Sequence, residues 1–158
     1  MARNQALCKP HSSMDWHVRT LEATDYDRGF LELLGQLTVV GDVDRETFEK
    51  QHMDMEKEGN RRVVVVVDPQ RDQVVATGTA LIEKKFIRGC GCVAHVEDVV
   101  VDHRERGKQL GKRVIEDLLQ YAQKKGCYKV ILDCAETNAT FYEKCGFRRK
   151  EVQMVQYF

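Results

Sequence analysis

Proline is scarce in this chain, two residues among 158, and no stretch is of low complexity. A composition of 42% apolar and 32% charged residues excludes a disordered or fibrous chain and fits one globular domain. Net charge is missing as well, since 25 Lys and Arg balance 25 Asp and Glu. Phosphate-backbone and acidic-membrane binding both draw on positive charge, so a zero balance argues against either and leaves room only for a local basic patch. No run approaches the roughly 18 apolar residues of a membrane span. The opening MARNQALCKPHS holds no apolar signal core, and nothing in it points to secretion. Residues 1–14 are expected to form a mobile arm and residues 15–158 a single domain. The expected compartment is the cytoplasm, with an organelle left open.

Cysteine is not scarce. Without a secretion signal, Cys8, Cys90, Cys92, Cys127, Cys134 and Cys145 are expected to stay reduced. Cys90, Cys92 and His95 gather three soft ligands, but no second cluster stands at structural-zinc spacing. A turn with buried thiols, and no metal, is expected there.

Periodicity supplies the elements. His17 to Leu21 reads as a short strand, and Asp25 to Leu37 places Phe30, Leu33, Leu34 and Leu37 at helical spacing. Asp44 is a good N-cap for a second helix that Gly59 ends. Val63 to Val67 reads as a strand buried on both faces. It forms a hairpin with Gln73 to Ile82 around the Asp68 to Asp72 turn. A polar connection, Glu83 to Gly91, leads to the strand Ala94 to Val101. Lys108 to Lys125 is a long amphipathic helix stopped by Gly126. The strand Lys129 to Asp133, a short helix Asn138 to Cys145 and a last strand Val152 to Tyr157 follow. The order β-α-α-β-β-β-α-β-α-β predicts an α/β fold, a mixed sheet flanked by helices.

Between Val96 and Val114 lies VEDVVVDHRERGKQLGKRV. A strand that runs through a loop into a helix gathers free N–H groups and the positive end of the helix dipole at one spot. Gly107 and Gly111 let a ligand approach the main chain. Arg104, Arg106, Lys108 and Lys112 add charge, and the ligand this suits is a phosphate or pyrophosphate. A P-loop would need glycine at Asp102 and Ser or Thr at Gln109. A dinucleotide fingerprint would need Gly-x-Gly-x-x-Gly where this chain has Gly107-x-x-x-Gly111. Asp133 stands where that fold keeps a ribose acid, but the 25 residues after it are too few for the remaining strands. A charged surface loop is the plainer alternative. Neighbours in a strand face opposite sides, so Glu97 and Asp98 are not both expected as solvated charges. One solvated and one paired with an arginine is the unspecialised reading.

The segment Arg106-Gly107-Lys108-Gln109-Leu110-Gly111 resembles the acetyl-coenzyme A loop of the GNAT acetyltransferase superfamily, Gln/Arg-x-x-Gly-x-Gly/Ala, with Gln109 replacing the middle glycine. HVEDVVV, RGKQLGK, GCYKVILDC and NATFYEKCGF, in that order, are together similar to the glucosamine 6-phosphate N-acetyltransferase family. The resemblance covers Thr38 to Met154. It implies a mostly antiparallel mixed sheet and direct transfer of acetyl from acetyl-coenzyme A to the 2-amino group of D-glucosamine 6-phosphate, without a metal. That step lies on the route to UDP-N-acetylglucosamine.

Residue roles follow from the same resemblance. Val99, Val100 and Val101 would bond the acetyl and pantetheine portion through main chain. Arg106, Gly107, Lys108, Gln109, Leu110, Gly111 and Lys112 would hold the diphosphate, with Asn138, Tyr142 and Lys144 as further coenzyme contacts. Tyr142 would assist thiolate departure, and Asp133 and Glu97 would attend the amine. Thr38, Lys85, Arg88, Glu97, Asp98 and Asp133 would line the sugar-phosphate site. Glu116 and Asp117 would complete it from another subunit, making the active unit a homodimer with shared sites. The family's phosphate-binding arginine near the C-terminus has no counterpart in Gln156-Tyr157-Phe158. Arg148, Arg149 or Lys150 substitutes, or phosphate affinity is reduced.

Other readings stay open from the residues alone. Phe141 and Tyr142 fit a helix core, Asp133 fits a turn, and Lys85 and Arg88 fit a solvated loop. Alternative acceptor amines are a polyamine, a protein lysine or an N-terminus, and a non-catalytic coenzyme A or nucleotide module is a different class again. Cys134 or Cys145 as an acyl nucleophile lacks an activating histidine, so both are expected as packing thiols.

Overall fold

The computed structural model describes residues 16–158, so the expected arm, 1–14, lies outside the described residues. Five strands form one sheet in chain order: β1 (His17–Thr20), β2 (Arg61–Asp68), β3 (Gln73–Lys84), β4 (Cys92–Val101) and β5 (Cys127–Leu132). The first three pairings are antiparallel and β4–β5 is parallel. Short connections suffice for the β2–β3 and β3–β4 pairs, whereas a parallel pair needs a crossover, supplied here by helix α4 (Leu110–Lys124).

The valine run occupies β2 and feeds two cores. Val64 and Val66 pack with Val114, Ile115 and Leu118 of α4 on one face. Val63, Val65 and Val67 pack on the other with Phe30 and Leu33 of α1 (Phe30–Leu34) and Phe48 of α2 (Arg45–Glu58). Side chains alternate across a strand, so an unbroken apolar run requires cover on both faces.

Several boundaries differ from expectation. The helix expected from Asp25 to Leu37 is split into a 3-10 turn (Ala23–Tyr26) and α1, with Gly29 between them at φ +78°. Asp25 closes the start of the first piece, as the third residue of a capping box whose N-cap is Glu22. Its fully buried carboxylate takes two 2.7 Å bonds from Arg19 and one of 2.8 Å from the Glu22 N–H. Burial works to raise its pKa, but the Arg19 and Glu22 bonds outweigh burial and hold it below the ordinary value. The long helix starts at Leu110 rather than Lys108, because Gln109 takes φ +61°. Asp44 caps α2 through the Thr47 N–H at 2.8 Å, as expected. Asn138 makes no capping side-chain bond at α5 (Ala139–Lys144). Ile87–Cys90 (α3) is a turn, with Arg88, Gly89 and Cys90 all at positive φ.

The last expected strand is not formed. Val152 to Tyr157 belongs to no strand, and Val152, Met154 and Tyr157 are exposed. A strand requires a partner edge, and within this chain the outer edge of β5 stays unpaired.

Candidate active site

β4 outlasts β5. Their ladder ends at Val96–Leu132, while β4 continues from Glu97 to Val101 with only β3 beside it. A bulge bends β4 at this point: Thr79 faces Glu97 and Thr77 faces Val100, so Gly78 alone opposes both Asp98 and Val99. Bulges bend and twist a strand, and the result is a gap between β4 and β5. Gly78 is needed for the fit, since a Cβ there would stand 2.7 Å from Val114 Cγ1.

The bulge also corrects the expectation for the two carboxylates. Asp98 takes φ +52°, alternation fails, and Glu97 and Asp98 are both exposed at the gap. Burial first, then the charges of Asp98 and Asp133, raise the Glu97 pKa. Asp98 and Asp133 are therefore close enough to Glu97 for their charges to act on it. Asp133 follows β5 and accepts from the Gln153 amide at 3.2 Å. Among the described residues no cluster is arranged to hold a metal ion.

Main-chain donors line the rest of the gap. The Asp102 N–H bonds Val75 O at 2.8 Å, toward β3. N–H directions alternate along a strand, which turns the Val101 N–H toward the open side. The first bond of α4 runs from the Arg113 N–H to Gln109 O, so the N–H groups of Gln109, Leu110, Gly111 and Lys112 find no acceptor among the described residues. Free N–H groups at the start of a 15-residue helix suit an anion. Gly107, at φ +82° with open space about it, suits one as well. Gly111 does something else: it is buried, and a Cβ would meet Phe141 Cζ at 3.1 Å, so it lets α5 pack on α4. Val100 and Leu110 are buried side chains that offer a ligand only main chain.

The expected cations divide. Arg106 and Lys144 have no carboxylate partner among the described residues, whereas Lys112 lies 3.6 Å from Glu116 and Lys108 lies 2.5 Å from Glu105. On the sugar side, Lys85 is paired with Glu83, which also accepts His95 at 2.7 Å. Arg88 has no carboxylate partner among the described residues and lies 5.8 Å from the Tyr128 ring centroid. Thr38 is exposed just beyond α1. Asp117 is tied at 2.5 and 3.0 Å to Arg62 on β2, away from the gap, and its neighbour Glu116 is exposed. Arg149 sits between Glu136 and Glu143, Lys150 pairs with Glu151, and Arg148 has no ion pair among the described residues.

Tyr142 reconciles two readings. Its ring packs edge-on against Phe141 and Phe147, with centroids 4.9 and 6.0 Å away, and leans on the same core as Val99 and Val101. Its hydroxyl meets no hydrogen-bond partner among the described residues and is not a buried orphan. Burial, then the nearby Cys134 and Cys145, raise its pKa, so the phenol keeps its proton to give. Burial likewise raises the Cys145 pKa, the behaviour of a packing thiol. Sequence reading missed Glu83, signalled only by its place two residues before Lys85. It also missed the bond between Arg71 and Glu105, 34 positions apart and without local trace.

A sheet that opens beside a helix N-terminus, with carboxylates and an unbonded phenol at the opening, is the frame of an acetyltransferase of the GNAT type. The family model described as "Acetyltransferase (GNAT) family" matches residues 22–147, and the chain belongs to that family. Among its relatives are glucosamine 6-phosphate N-acetyltransferases. That of Arabidopsis thaliana is 50% identical over 89% of this chain and 95% of the plant protein. That of Candida albicans is 42% identical over 87% and 92% of the two chains. The crystal structure of the Arabidopsis enzyme superposes with a TM-score of 0.89 at 49% identity, covering 90% of this chain and 98% of that one.

Proposed function

We propose that this chain transfers acetyl from acetyl-coenzyme A directly to the 2-amino group of D-glucosamine 6-phosphate. The observation that carries it is the gap itself, where Glu97, Asp98 and Asp133 gather beside bare main chain. The relatives' activity supports the same choice of sugar.

The coenzyme diphosphate rests on the N–H groups of Gln109 to Lys112, with Arg106, Lys108, Lys112 and Lys144 around it and Gly107 open beside it. Asn138 borders it from the turn before α5. The pantetheine arm lies along Val99 to Val101 where β5 has ended, as an added strand would. The three carboxylates hold the sugar ammonium and orient it, and Glu97, of raised pKa, suits proton uptake as the amine attacks. The thioester carbonyl becomes a tetrahedral oxyanion. One well-placed N–H donor contributes about 3 kcal/mol to such a species. The intermediate collapses, the C–S bond breaks, and the thiolate takes the Tyr142 proton.

Arg88 and Lys85, with Thr38, receive the sugar phosphate, and Arg148 is the tail residue free to add to them. We assign the working unit to a homodimer. The exposed Val152, Met154, Val155 and Tyr157, together with the free edge of β5, support a second copy, to whose site Glu116 and Asp117 would contribute. Five described cysteines are free thiols, which fits the cytoplasm. No helix of the described residues is long and apolar enough to cross a membrane.

Initial rates on glucosamine 6-phosphate, glucosamine and a lysine peptide test the reading. The phosphorylated sugar is expected to be acetylated by far the best. Preference for unphosphorylated glucosamine overturns the phosphate assignment, and coenzyme A binding without transfer to any amine overturns the enzyme.

A further inference from the structure

At the closed end of the β4–β5 ladder, opposite the gap, two thiols meet. Cys92 is the first residue of β4 and Cys127 the first of β5, and they are register partners. Their sulfurs lie 3.3 Å apart, closer than a relaxed contact between thiols, and both side chains are partly exposed. Adjacent strands run about 4.8 Å apart, inside the Cα separation of roughly 4.4–6.8 Å that a disulfide spans. The register slips directly after this pair, from Cys92–Cys127 to Val93–Lys129, leaving Tyr128 as an extra residue. The pair therefore sits at an irregularity, where the backbone is freer to adjust than within the ladder.

We propose that Cys92 and Cys127 form a reversible disulfide, a modification site that latches the start of β4 to β5. The oxidant is a low-molecular-weight disulfide of the glutathione type. The Cys92 thiolate attacks one of its sulfurs, the small disulfide bond breaks, and one thiol leaves. The Cys127 thiolate then attacks the mixed disulfide at Cys92 and expels the second small thiol. Two protein thiols are oxidised, one small disulfide is reduced to two thiols, and both thiol protons pass to the departing sulfurs.

The order of events follows from the surroundings. Burial, then the bond and charge of Cys92, push the Cys127 thiol up to about 11, so it keeps its proton until Cys92 has reacted. First attack falls to Cys92, which directly follows the exposed turn Ile87–Cys90.

The latch touches the sugar side of the site. Cys92 closes the turn that carries Lys85 and Arg88, and the Lys85 N–H bonds Gly91 O at 2.8 Å. Arg88 lies over Tyr128, and a Cβ on Gly91 would stand 3.1 Å from that ring. Drawing the sulfurs to a bond of about 2.05 Å moves this packed turn against Tyr128 and displaces Arg88. The coenzyme loop, at the other end of β4, is left alone. This consequence, unlike the bond itself, rests on the proposed role of Arg88.

The test is to equilibrate the full chain in graded mixtures of reduced and oxidised glutathione and alkylate the remaining thiols. Unreduced peptides are then mapped by mass spectrometry, and both substrates' KM are measured in parallel. A Cys92–Cys127 peptide lighter by two hydrogens, reversed by dithiothreitol, is expected in the native chain and in Cys90→Ser, and is lost in Cys127→Ser. Its formation should raise KM for glucosamine 6-phosphate severalfold and leave that for acetyl-coenzyme A unchanged. Alkylation of both thiols throughout, or linkage through Cys90, overturns the site. A linked peptide with both KM values unmoved overturns the latch while leaving the proposed reaction standing, and an inactive chain that still forms the link sinks the reaction alone.

Discussion

Glu105 Oε2 lies 2.5 Å from the Lys108 ammonium, while its other oxygen accepts from Arg71 at 2.6 Å. Arg71 in turn bonds Asp68 at 2.6 Å, so a chain of charges ties the β2–β3 turn to the loop before α4, the proposed coenzyme loop. Glu105 is 5% exposed, and the Lys108 bond, against the pull of burial, holds its pKa below the ordinary carboxylate value. Lys108 is thus less a free hand for diphosphate than an anchor that sets the loop's shape.

Glu105→Gln keeps the side chain's size but gives up its charge. The coenzyme loop loses its tether, and KM for acetyl-coenzyme A is expected to rise about tenfold, equivalent to roughly 1.4 kcal/mol of binding, with kcat much less affected. Steady-state kinetics read the split. A loss confined to kcat would place Glu105 elsewhere in the cycle.

Tyr142→Phe leaves the edge-on packing against Phe141 and Phe147 in place and removes only the hydroxyl. If that proton goes to the departing thiolate, kcat should fall about 100-fold, in the range of general acid catalysis. Coenzyme affinity, read by calorimetry, should barely move. Equal losses in both would take the phenol out of the chemical step.

The Glu97 carboxyl is raised by burial and by the Asp98 and Asp133 charges. In the proposed reaction it serves when ionised, so activity is expected to be full above its pKa and to fall as pH drops through it. Asp98→Asn removes one neighbouring charge and lowers that pKa, and the acid limb of kcat/KM should shift to lower pH. Glu97→Gln should abolish that limb. A limb that moves upward in Asp98→Asn would contradict the coupling.

Much of this was legible in the residues. Five valines without a polar break demanded a strand buried on both faces, and Asp44 and Gly59 bounded α2 where capping chemistry places them. Four ordered motifs pointed to the family and its site. What stayed hidden depends on other segments. Asp25 sits in a separate 3-10 turn rather than in α1, held there by Arg19 and the Glu22 N–H. Val152 to Tyr157 has strand composition, yet it pairs with neither edge of the sheet in this chain, and composition alone does not say where a strand finds its partner. Glu97 and Asp98 share one opening because of a bulge that alternation could not anticipate, fixed by Gly78 on the neighbouring strand.

That glycine is also a test of how the gap is built. A Cβ at position 78 would stand 2.7 Å from Val114 Cγ1 and 3.2 Å from both Leu118 Cδ1 and Val99 Cγ2. Val114 is fully buried and has nowhere to retreat. Gly78→Ala is therefore expected to destabilise the fold by about 1–3 kcal/mol, the usual range for overpacking, seen as a lower urea midpoint at unchanged slope. Val114→Ala costs stability alone by leaving a cavity, but combined with Gly78→Ala it makes room for the new methyl. The double variant should be more stable than the two single losses sum to, because the side chains touch. Strict additivity would mean that α4 does not press on the bulge, and that the opening between β4 and β5 is held by something other than this contact.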